Sequence, residues 1–324
     1  MIAGLTRRNV LTALGALVPA IAIGAPYPDK PVRLIVALAP GGPADTAARV
    51  FAPAFAEALG QNVLVDNRPG GSAVVGTEAA IRAAPDGYTL LFASSSTLAI
   101  NPAVLKNLRF DALKDLKLIG LICYTPHVLV VRAQLPAQTF PDLVRLSKAQ
   151  PDTLRYGSSG IGGAIHLAGE LVKRETGADL RHIPYRGGGP ATLGLLAGDI
   201  DIFISDLSTT AEHIRSGRIR ALAMAWPTRS PQLPDVPTFA ELGFPAVTSA
   251  SWFGLAAPAA TPPAVIERID TAMRQALAST DYQSNMKKIG NETFALDAEQ
   301  ASAFIKAEAD KWSAVARAAN IQLD

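Results

Sequence analysis

The chain has 324 residues with a formal net charge of +2, and 49% of its residues are apolar. This composition excludes a disordered chain, and the near-neutral charge argues against a nucleic-acid-binding protein, which usually carries a basic domain. The length favours about two domains, and the single cysteine excludes both an internal disulfide framework and a cysteine-based zinc site.

The first 24 residues have the pattern of an export signal. Arg7 and Arg8 precede an apolar run from Val10 to Ala22, and small residues before Ala25 offer a cleavage site. The run of about 13 residues is shorter than the roughly 20 needed to cross a bilayer core, so a retained membrane anchor is the weaker alternative. The paired arginines fit twin-arginine export, and an ordinary secretory signal fits equally well. We therefore expect the mature chain in the periplasm.

Short apolar runs alternate with helical patterns in the first part of the mature chain. The predicted strands are 33–39, 62–66 and 89–93, and the predicted helices between them are 47–59 and 74–84. This βαβαβ order predicts a parallel sheet with right-handed crossovers. Two further apolar runs, 118–123 and 128–131, are predicted as separate strands of two domains, with the crossing at Tyr124-Thr125-Pro126.

A second α/β unit repeats this order. Its predicted strands are 154–157, 181–184, 201–205 and 220–225, and its predicted helices are 164–176 and 191–197. Residues 251–257 are predicted as a strand that returns to the first domain. Two tail helices follow, one starting at Pro262 and one at a capping-box pattern of Asp297 and Gln300.

The domain boundaries follow from the helical tail, which has no sheet of its own to cover. We expect domain 1 to comprise residues 25–123 together with 249–324, and domain 2 to comprise residues 124–248. The lone Cys123 lies in an apolar run, which indicates a buried and unreactive thiol.

Small-residue loops follow four of the predicted strands. They are residues 39–42, 94–96, 157–163 and 185–189. Such loops expose main-chain N–H groups at helix N-termini, which favour an anion such as a carboxylate or a phosphate. One loop alone would indicate only a tight turn, whereas four at strand ends, divided between two domains, favour a ligand cleft. In the first loop, Gly42 is expected to lie beside the ligand and to need a positive φ.

Motifs for nucleotide binding and for covalent catalysis are missing from the sequence. Residues 160–165 match only the first two glycines of a dinucleotide fingerprint, and residues 157–160 lack the nucleophile-elbow spacing. The four histidines lack metal-ligand spacing. His166 is either a helix cap or a cleft residue, and Arg186 is either a solvated charge or a partner for an acidic ligand. We expect no enzymatic activity, no metal and no cofactor.

Eight segments in order along the mature chain carry a family pattern. They are residues 27–36, 39–45, 65–71, 85–91, 166–171, 182–188, 233–238 and 252–255. Together they resemble the Bug family, the substrate-binding proteins of tripartite tricarboxylate transporters. The resemblance implies an α/β, type II periplasmic-binding-protein fold. Two α/β domains would lie around a ligand cleft, with a hinge that the chain crosses twice.

The resemblance also implies a ligand and a binding site. The family's ligands are mostly small carboxylates, held by main-chain N–H groups, hydroxyls and ordered water. The pocket residues implied by position are Pro40, Gly41, Gly42, Asp45, Ser94, Ser96, Ser158, Ser159, Gly162, Gly163, His166, Tyr185 and Asp206. Arg186 and Gly187, which follow Tyr185 in its loop, are added as candidates.

The expected partners are a small organic anion and the membrane subunits of a transporter, and the receptor itself is expected to be a monomer. Two departures from the family pattern, Ala73-Val74 and Gly189, leave the identity of the ligand open. Two other functions also stay open: a sensor that presents a bound carboxylate to a membrane signalling receptor, and a soluble enzyme that acts on a carboxylate at the same cleft.

Overall fold

The structure is a computed structural model that describes residues 27–324, so the predicted export signal lies outside the described residues. The strands are β1 (Val32–Val36), β2 (Val63–Asn67), β3 (Thr89–Ser94), β4 (Leu116–Arg132), β5 (Arg155–Ser158), β6 (Arg181–Pro184), β7 (Ile202–Asp206), β8 (Ile219–Met224), β9 (Ala250–Pro258) and β10 (Glu292–Leu296). The helices are α1 (Pro43–Leu59), α2 (Val74–Ile81), α3 (Asn101–Val104), α4 (Ala112–Asp115), α5 (Phe140–Ala149), α6 (Ala164–Thr176), α7 (Gly188–Ala197), α8 (Leu207–Arg215), α9 (Pro263–Ala278), α10 (Thr280–Lys288) and α11 (Ala298–Ala318). A search of residues 27–324 finds no helix with the length and apolar character of a membrane span.

The described strands join into one mixed sheet. Their order is β2-β1-β3-β9-β4-β7-β5-β6, with β8 and β10 also paired to β4. β1 is parallel to β2 and β3, and β5 is parallel to β6 and β7, as the alternation of strands and helices predicts. β9 is antiparallel to both β3 and β4, so the sheet is not purely parallel.

The long strand β4 connects two parts of the sheet. Residues 116–126 pair with β9 and residues 121–124 with β10, whereas residues 127–132 pair with β7 and β8. We call the part with β1–β3, β9 and β10 the first sheet half, and the part with β5–β8 the second. The two predicted strands are therefore one continuous strand, and its partners change between Pro126 and His127, next to the expected crossing at Tyr124-Thr125-Pro126. Pairing with β9 as far as Pro126 keeps this segment extended, and Pro126 lies where β4 changes partners, at a position that tolerates a residue without an N–H group.

Three buried clusters cover the two halves. Alternate residues of β1 face opposite sides, so two of the clusters lie on the two faces of the first half. Phe51 of α1 and Ile269 of α9 belong to one, and Trp312 of α11 belongs to the other. Leu167 and Leu171 of α6 join the Trp312 cluster, although α6 itself follows a strand of the second half. The helix α6 therefore packs against both halves.

Several element predictions are confirmed, and the tail differs. α6 begins and ends at the predicted residues, and Gly177 ends it in the left-handed conformation with a φ of 66°. The capping box of Asp297 and Gln300 forms at the start of α11. Cys123 is buried as predicted, and its burial raises the pKa of the thiol. The tail also contains α10 and β10, which the sequence analysis missed because both are short and lack clear periodicity.

Candidate functional site

A cavity of about 260 Å³ lies between the two sheet halves. The first half contributes the start of α1 and the segment after β3. The second half contributes the loop before α6 and Asp206 at the end of β7. Ser251 and Phe253 of β9 also line the cavity. Because both halves contribute, a molecule in this cavity would contact both at once.

Two helices begin at this cavity with nearly the same backbone. The N-cap of α1 is Gly42, with φ and ψ of −81° and 173°, and the N-cap of α6 is Gly163, with −79° and 169°. Neither N-cap has a side chain that could accept a hydrogen bond from the first turn. The first-turn N–H groups of a helix have no partner within the helix, so these two ends can each bind an anion.

The third residue of each helix accepts a hydrogen bond from the loop that precedes the helix. The Gly41 N–H group donates to Asp45 Oδ2 at 2.9 Å, and the Gly162 N–H group donates to His166 Nδ1 at 3.0 Å. Both donating glycines adopt the left-handed region, with φ of 77° and 74°. The predicted positive φ at Gly42 is therefore wrong by one residue. His166 therefore holds the loop before α6 and lies outside the cavity wall.

The two anchoring side chains differ in charge. Burial raises the pKa of Asp45, but hydrogen bonds from Arg49 and from the Gly41 N–H group outweigh it, and the pKa lies below its usual range. Arg49 Nε donates to Asp45 Oδ2 at 3.0 Å. Burial lowers the pKa of His166. The neutral imidazole is the form that leaves Nδ1 free to accept a hydrogen bond.

A second histidine supports the loop before α6. The rings of His166 and His182 stack with centroids 3.8 Å apart, and His182 Nε2 lies 2.6 Å from Ser158 Oγ. Burial lowers the pKa of His182 to about 4, with a further contribution from the adjacent His166. Both rings are therefore neutral at neutral pH, and the pair holds the loop without adding charge to the site.

The serine-rich segment after β3 brings hydroxyl groups to the same cavity. Ser94 and Ser96 line it, and the chain continues through a π-helical turn, Ser96–Ile100, into α3. The Ser94 N–H group donates to Thr97 Oγ1 at 2.8 Å, which fixes the turn. Asn101 Nδ2 donates to the Ser72 carbonyl oxygen at 2.7 Å and ties this segment to the loop before α2.

The structure brings some of the predicted site residues together and leaves others outside the cavity wall. Those on the wall are Ser94, Ser96, Ser159, Gly162, Gly163 and Asp206. Those outside it are Pro40, Gly41, Gly42, Asp45, Ser158, His166, Tyr185, Arg186 and Gly187. The Tyr185 ring packs against Gly194 of α7, where an added Cβ would come within 2.4 Å of the tyrosine hydroxyl. Arg186 is exposed to solvent.

The sequence analysis missed several residues of the wall. They are Ser72, Asn101, Val104, Ser251, Phe253 and Leu323, among others. Leu323 reaches the cavity because its N–H group donates to the Val104 carbonyl oxygen at 2.8 Å, and its carbonyl oxygen accepts from the Lys106 N–H group at 3.0 Å. No local pattern near residue 323 indicates this contact, whereas Ser72 could have been found from its place in the loop at residues 70–73.

Comparisons with known proteins agree with this arrangement. The sequence model of the tripartite tricarboxylate transporter family receptor matches residues 47–321. Protein BugT of Bordetella pertussis is 35% identical over 321 residues, which cover 97% of this chain and 98% of BugT.

Two solved structures of Rhodopseudomonas palustris proteins are similar in both sequence and fold. One, solved with adipate, is 31% identical with a TM-score of 0.83, and the match covers 91% of this chain and 99% of that one. The other, MatC with bound malate, is 27% identical with a TM-score of 0.79, covering 89% and 99%. With the family match spanning most of the sequence, the chain belongs to the receptors of the tripartite tricarboxylate transporter family.

Proposed function

We propose that this chain is a periplasmic receptor that binds a small organic carboxylate in the cavity between its sheet halves and delivers it to membrane transporter subunits. The observation that carries the proposal is a pair of helix N-termini whose N-cap residues, Gly42 and Gly163, have no side chain to bond the first turn, and which begin at one cavity from opposite halves. The adipate and malate found in the two R. palustris structures support a carboxylate as the ligand.

The chemistry of the wall suits a ligand that must be released again. Among the described residues, the cavity wall contains no lysine, arginine or histidine. A buried arginine–carboxylate pair would require both charges to lose their water, and breaking such a pair leaves an unpaired buried charge. Main-chain N–H groups and serine hydroxyls bind an anion without that second charge. The volume of about 260 Å³ lies at the low end for small-molecule sites and favours a compact ligand.

We also propose that ligand binding closes the two halves about a double hinge. One crossing is within β4, at Pro126 and His127, and the other lies between β8 and β9, where the Ser249 N–H group donates to the Ala225 carbonyl oxygen at 2.6 Å. The expected division, residues 25–123 with 249–324 and residues 124–248, lies within three residues of this crossing, since β4 pairs with β9 as far as Pro126. The packing of α9 on α1 and of Trp312 with the first-half cluster supports this division.

A calorimetric screen of mono-, di- and tricarboxylates, each paired with its primary amide, tests the proposal. We expect the acid to bind 10- to 100-fold more tightly than the amide, because charge-assisted hydrogen bonds are roughly twice as strong as neutral ones. At a ligand concentration of ~100 Kd, unfolding should require about 2.7 kcal/mol more free energy. Equal affinity of acid and amide would contradict an anion site.

The variant Gly163→Val tests the binding site without disturbing the fold. The backbone of Gly163 is extended, and an added Cβ would keep at least 3.6 Å from its nearest neighbour, so the chain should still fold. The side chain would cover the first turn of α6 and should lower carboxylate affinity at least 10-fold. The matched control is Gly189→Val, where an added Cβ meets nothing within 4 Å and lies outside the cavity wall. We expect the control to bind normally.

A further inference from the structure

Asp206 stands apart from the rest of the cavity wall because of its charge. Within the described wall, every other side chain is uncharged. Asp206 ends β7 and immediately precedes α8, and 14% of its side chain is exposed. The wall therefore carries a carboxylate of its own, in a site that is proposed to receive a carboxylate.

The Asp206 side chain does not cap the helix that it precedes. Asp206 occupies the N-cap position of α8, where an aspartate normally accepts a hydrogen bond from the first turn, but its side chain makes no such bond. Its Oδ1 atom is buried and has no hydrogen-bond partner among residues 27–324. Because Oδ1 has almost no accessible surface, the exposed part of this side chain, which lines the cavity, lies at its other atoms.

His127 is the nearest candidate partner and is engaged elsewhere. It lies opposite Asp206 in the pairing of β4 with β7, and its Nε2 is 3.4 Å from Asp206 Oδ1, without hydrogen-bond geometry. The same Nε2 lies 3.2 Å from Ser251 Oγ, and Nδ1 lies 2.7 Å from Ser249 Oγ. The two serines therefore occupy both ring nitrogens, and the exposed part of the Asp206 carboxylate stays available to a ligand.

From this geometry we infer that the ligand is a carboxylate that also carries a hydrogen-bond donor, a hydroxyl or an ammonium group, and that Asp206 accepts a hydrogen bond from that donor. The inference rests on the proposed carboxylate-binding function. A ligand with carboxylates alone would place like charges together in a partly enclosed site. A donor on the ligand that meets the exposed part of the Asp206 carboxylate removes this penalty, while the ligand's carboxylate meets the N–H groups at the helix N-termini.

Asp206 would then be a specificity-determining residue. A site built to hydrogen-bond a particular group rejects an analogue that lacks it, because the polar atom of the site is left unpaired. Three four-carbon probes differ only at this point: succinate has no donor, malate has a hydroxyl, and aspartate has an ammonium group. Glutarate, 2-hydroxyglutarate and glutamate repeat the comparison with one more carbon.

Titration calorimetry of the full chain with these six probes tests the inference. In the wild-type chain we expect at least one donor-bearing acid to bind 10-fold or more tightly than the unsubstituted acid of the same length. In Asp206→Ala this preference should fall below about threefold, with the unsubstituted acid binding as well as before or better. Asp206→Asn keeps an oxygen acceptor without the charge, so it should retain part of a preference for a hydroxyl and lose a preference for an ammonium group.

The matched control is Glu212→Ala, which removes an exposed carboxylate from α8 outside the cavity wall and should keep the wild-type preference. If wild-type chain binds the unsubstituted acids as tightly as the substituted ones, or if Asp206→Ala keeps the preference, the inference is overturned and the proposed function stands. If no carboxylate binds, both are overturned. The wild-type comparison needs no variant, so a variant that fails to fold does not prevent a decision.

Discussion

The loops that begin α1 and α6 share a backbone and differ in their chemistry. Gly41 and Gly162 have matching left-handed φ values, and the N-caps Gly42 and Gly163 are extended to within a few degrees of each other. Behind the first loop is the charged Asp45, and behind the second is a neutral histidine. The backbone therefore sets the geometry of each anion site. The side chain that accepts from the loop, Asp45 or His166, sets the pH range over which that geometry holds.

The two loops also differ in the space around them. A Cβ added at Gly41 would meet nothing within 4 Å, whereas one added at Gly162 would lie 2.6 Å from Leu323 Cδ1. The first loop is open to solvent, and the second is covered by the segment that carries Leu323. The loops therefore need glycine for a shared reason, the positive φ, and the second needs it also for close packing.

The largest effect is expected from alanine at these two glycines. Gly41→Ala should lower the free energy of unfolding by about 1 kcal/mol, because alanine is strained at positive φ. Gly162→Ala should lower it by about 2–4 kcal/mol, because the contact with Leu323 adds to the same strain. Urea denaturation measures both.

The double variant Gly162→Ala/Leu323→Ala provides the control. Removing the leucine side chain should bring the cost of Gly162→Ala down to that of Gly41→Ala, because only the backbone strain would remain. Equal losses for the two single variants would show that the covering segment does not restrict the second loop.

The next effect is a dependence of stability on pH that involves the second loop only. The pKa of His182 is lowered from 6.5 to about 4 in the folded chain, so the unfolded chain binds more protons between these values. Stability from this pair is complete above about pH 6.5, falls as the pH drops toward 4, and falls no further below that. The loss should amount to about 1–3 kcal/mol.

Denaturation at several pH values, compared between wild type and His182→Gln, isolates this contribution from carboxylates that titrate nearby. The difference between the two chains should shrink as the pH falls from 6.5 to 4. His213→Gln removes a histidine of α8 that is not part of the stacked pair and should keep most of the wild-type pH dependence. The first loop should be insensitive over this range, because the pKa of Asp45 lies below its usual value. A constant difference between wild type and His182→Gln would contradict the assignment.

The smallest effect is expected at a third helix start, where the N-cap with a positive φ is alanine rather than glycine. Ala73 precedes α2 with a φ of 77°, the conformation that glycine supplies before α1 and α6. Ala73→Gly should relieve that strain but remove a methyl group that is buried in the Trp312 cluster, so the free energy of unfolding should change by less than about 1 kcal/mol. Ala79→Gly, inside α2, should lower it by about 1 kcal/mol. Thermal unfolding should therefore shift less for Ala73→Gly than for Ala79→Gly, and a larger loss for Ala73→Gly would count against strain at residue 73.

Local patterns predicted the parts of this fold that local forces decide. The limits of α6 follow from Gly163 and Gly177, and the start of α11 follows from Asp297 and Gln300. The continuity of β4 was not predictable, because Tyr124-Thr125-Pro126 resembles a break and the segment is kept extended by pairing with β9, which is distant in the sequence. β10 was missed because its partner β4 lies far away in the sequence.

The candidate site also has a part that the sequence predicts and a part that depends on tertiary contacts. The spacing Gly-Gly-x-x-Asp at residues 41–45 and Gly-Gly-x-x-His at residues 162–166 is visible in the sequence, and it marks the two helix starts at the cavity. Which side chains face the cavity depends on tertiary packing. Leu323 and Ser251 reach it through the tail and through β9, and no neighbouring residue signals either contact.

The position of β9 in the sheet has a consequence for how the chain folds. β9 lies between β3 and β4, so Leu91 finds its partner in Ala256 only after the intervening second half has been made. Contacts between residues so far apart slow folding, because a long loop must close before they form. During synthesis, β3 therefore stays unpaired on one side until β9 has been made, whereas the strands of the second half are all made before β9. We expect the second half to acquire structure first on the ribosome, and the first half to be the last part of the molecule to become resistant to proteases.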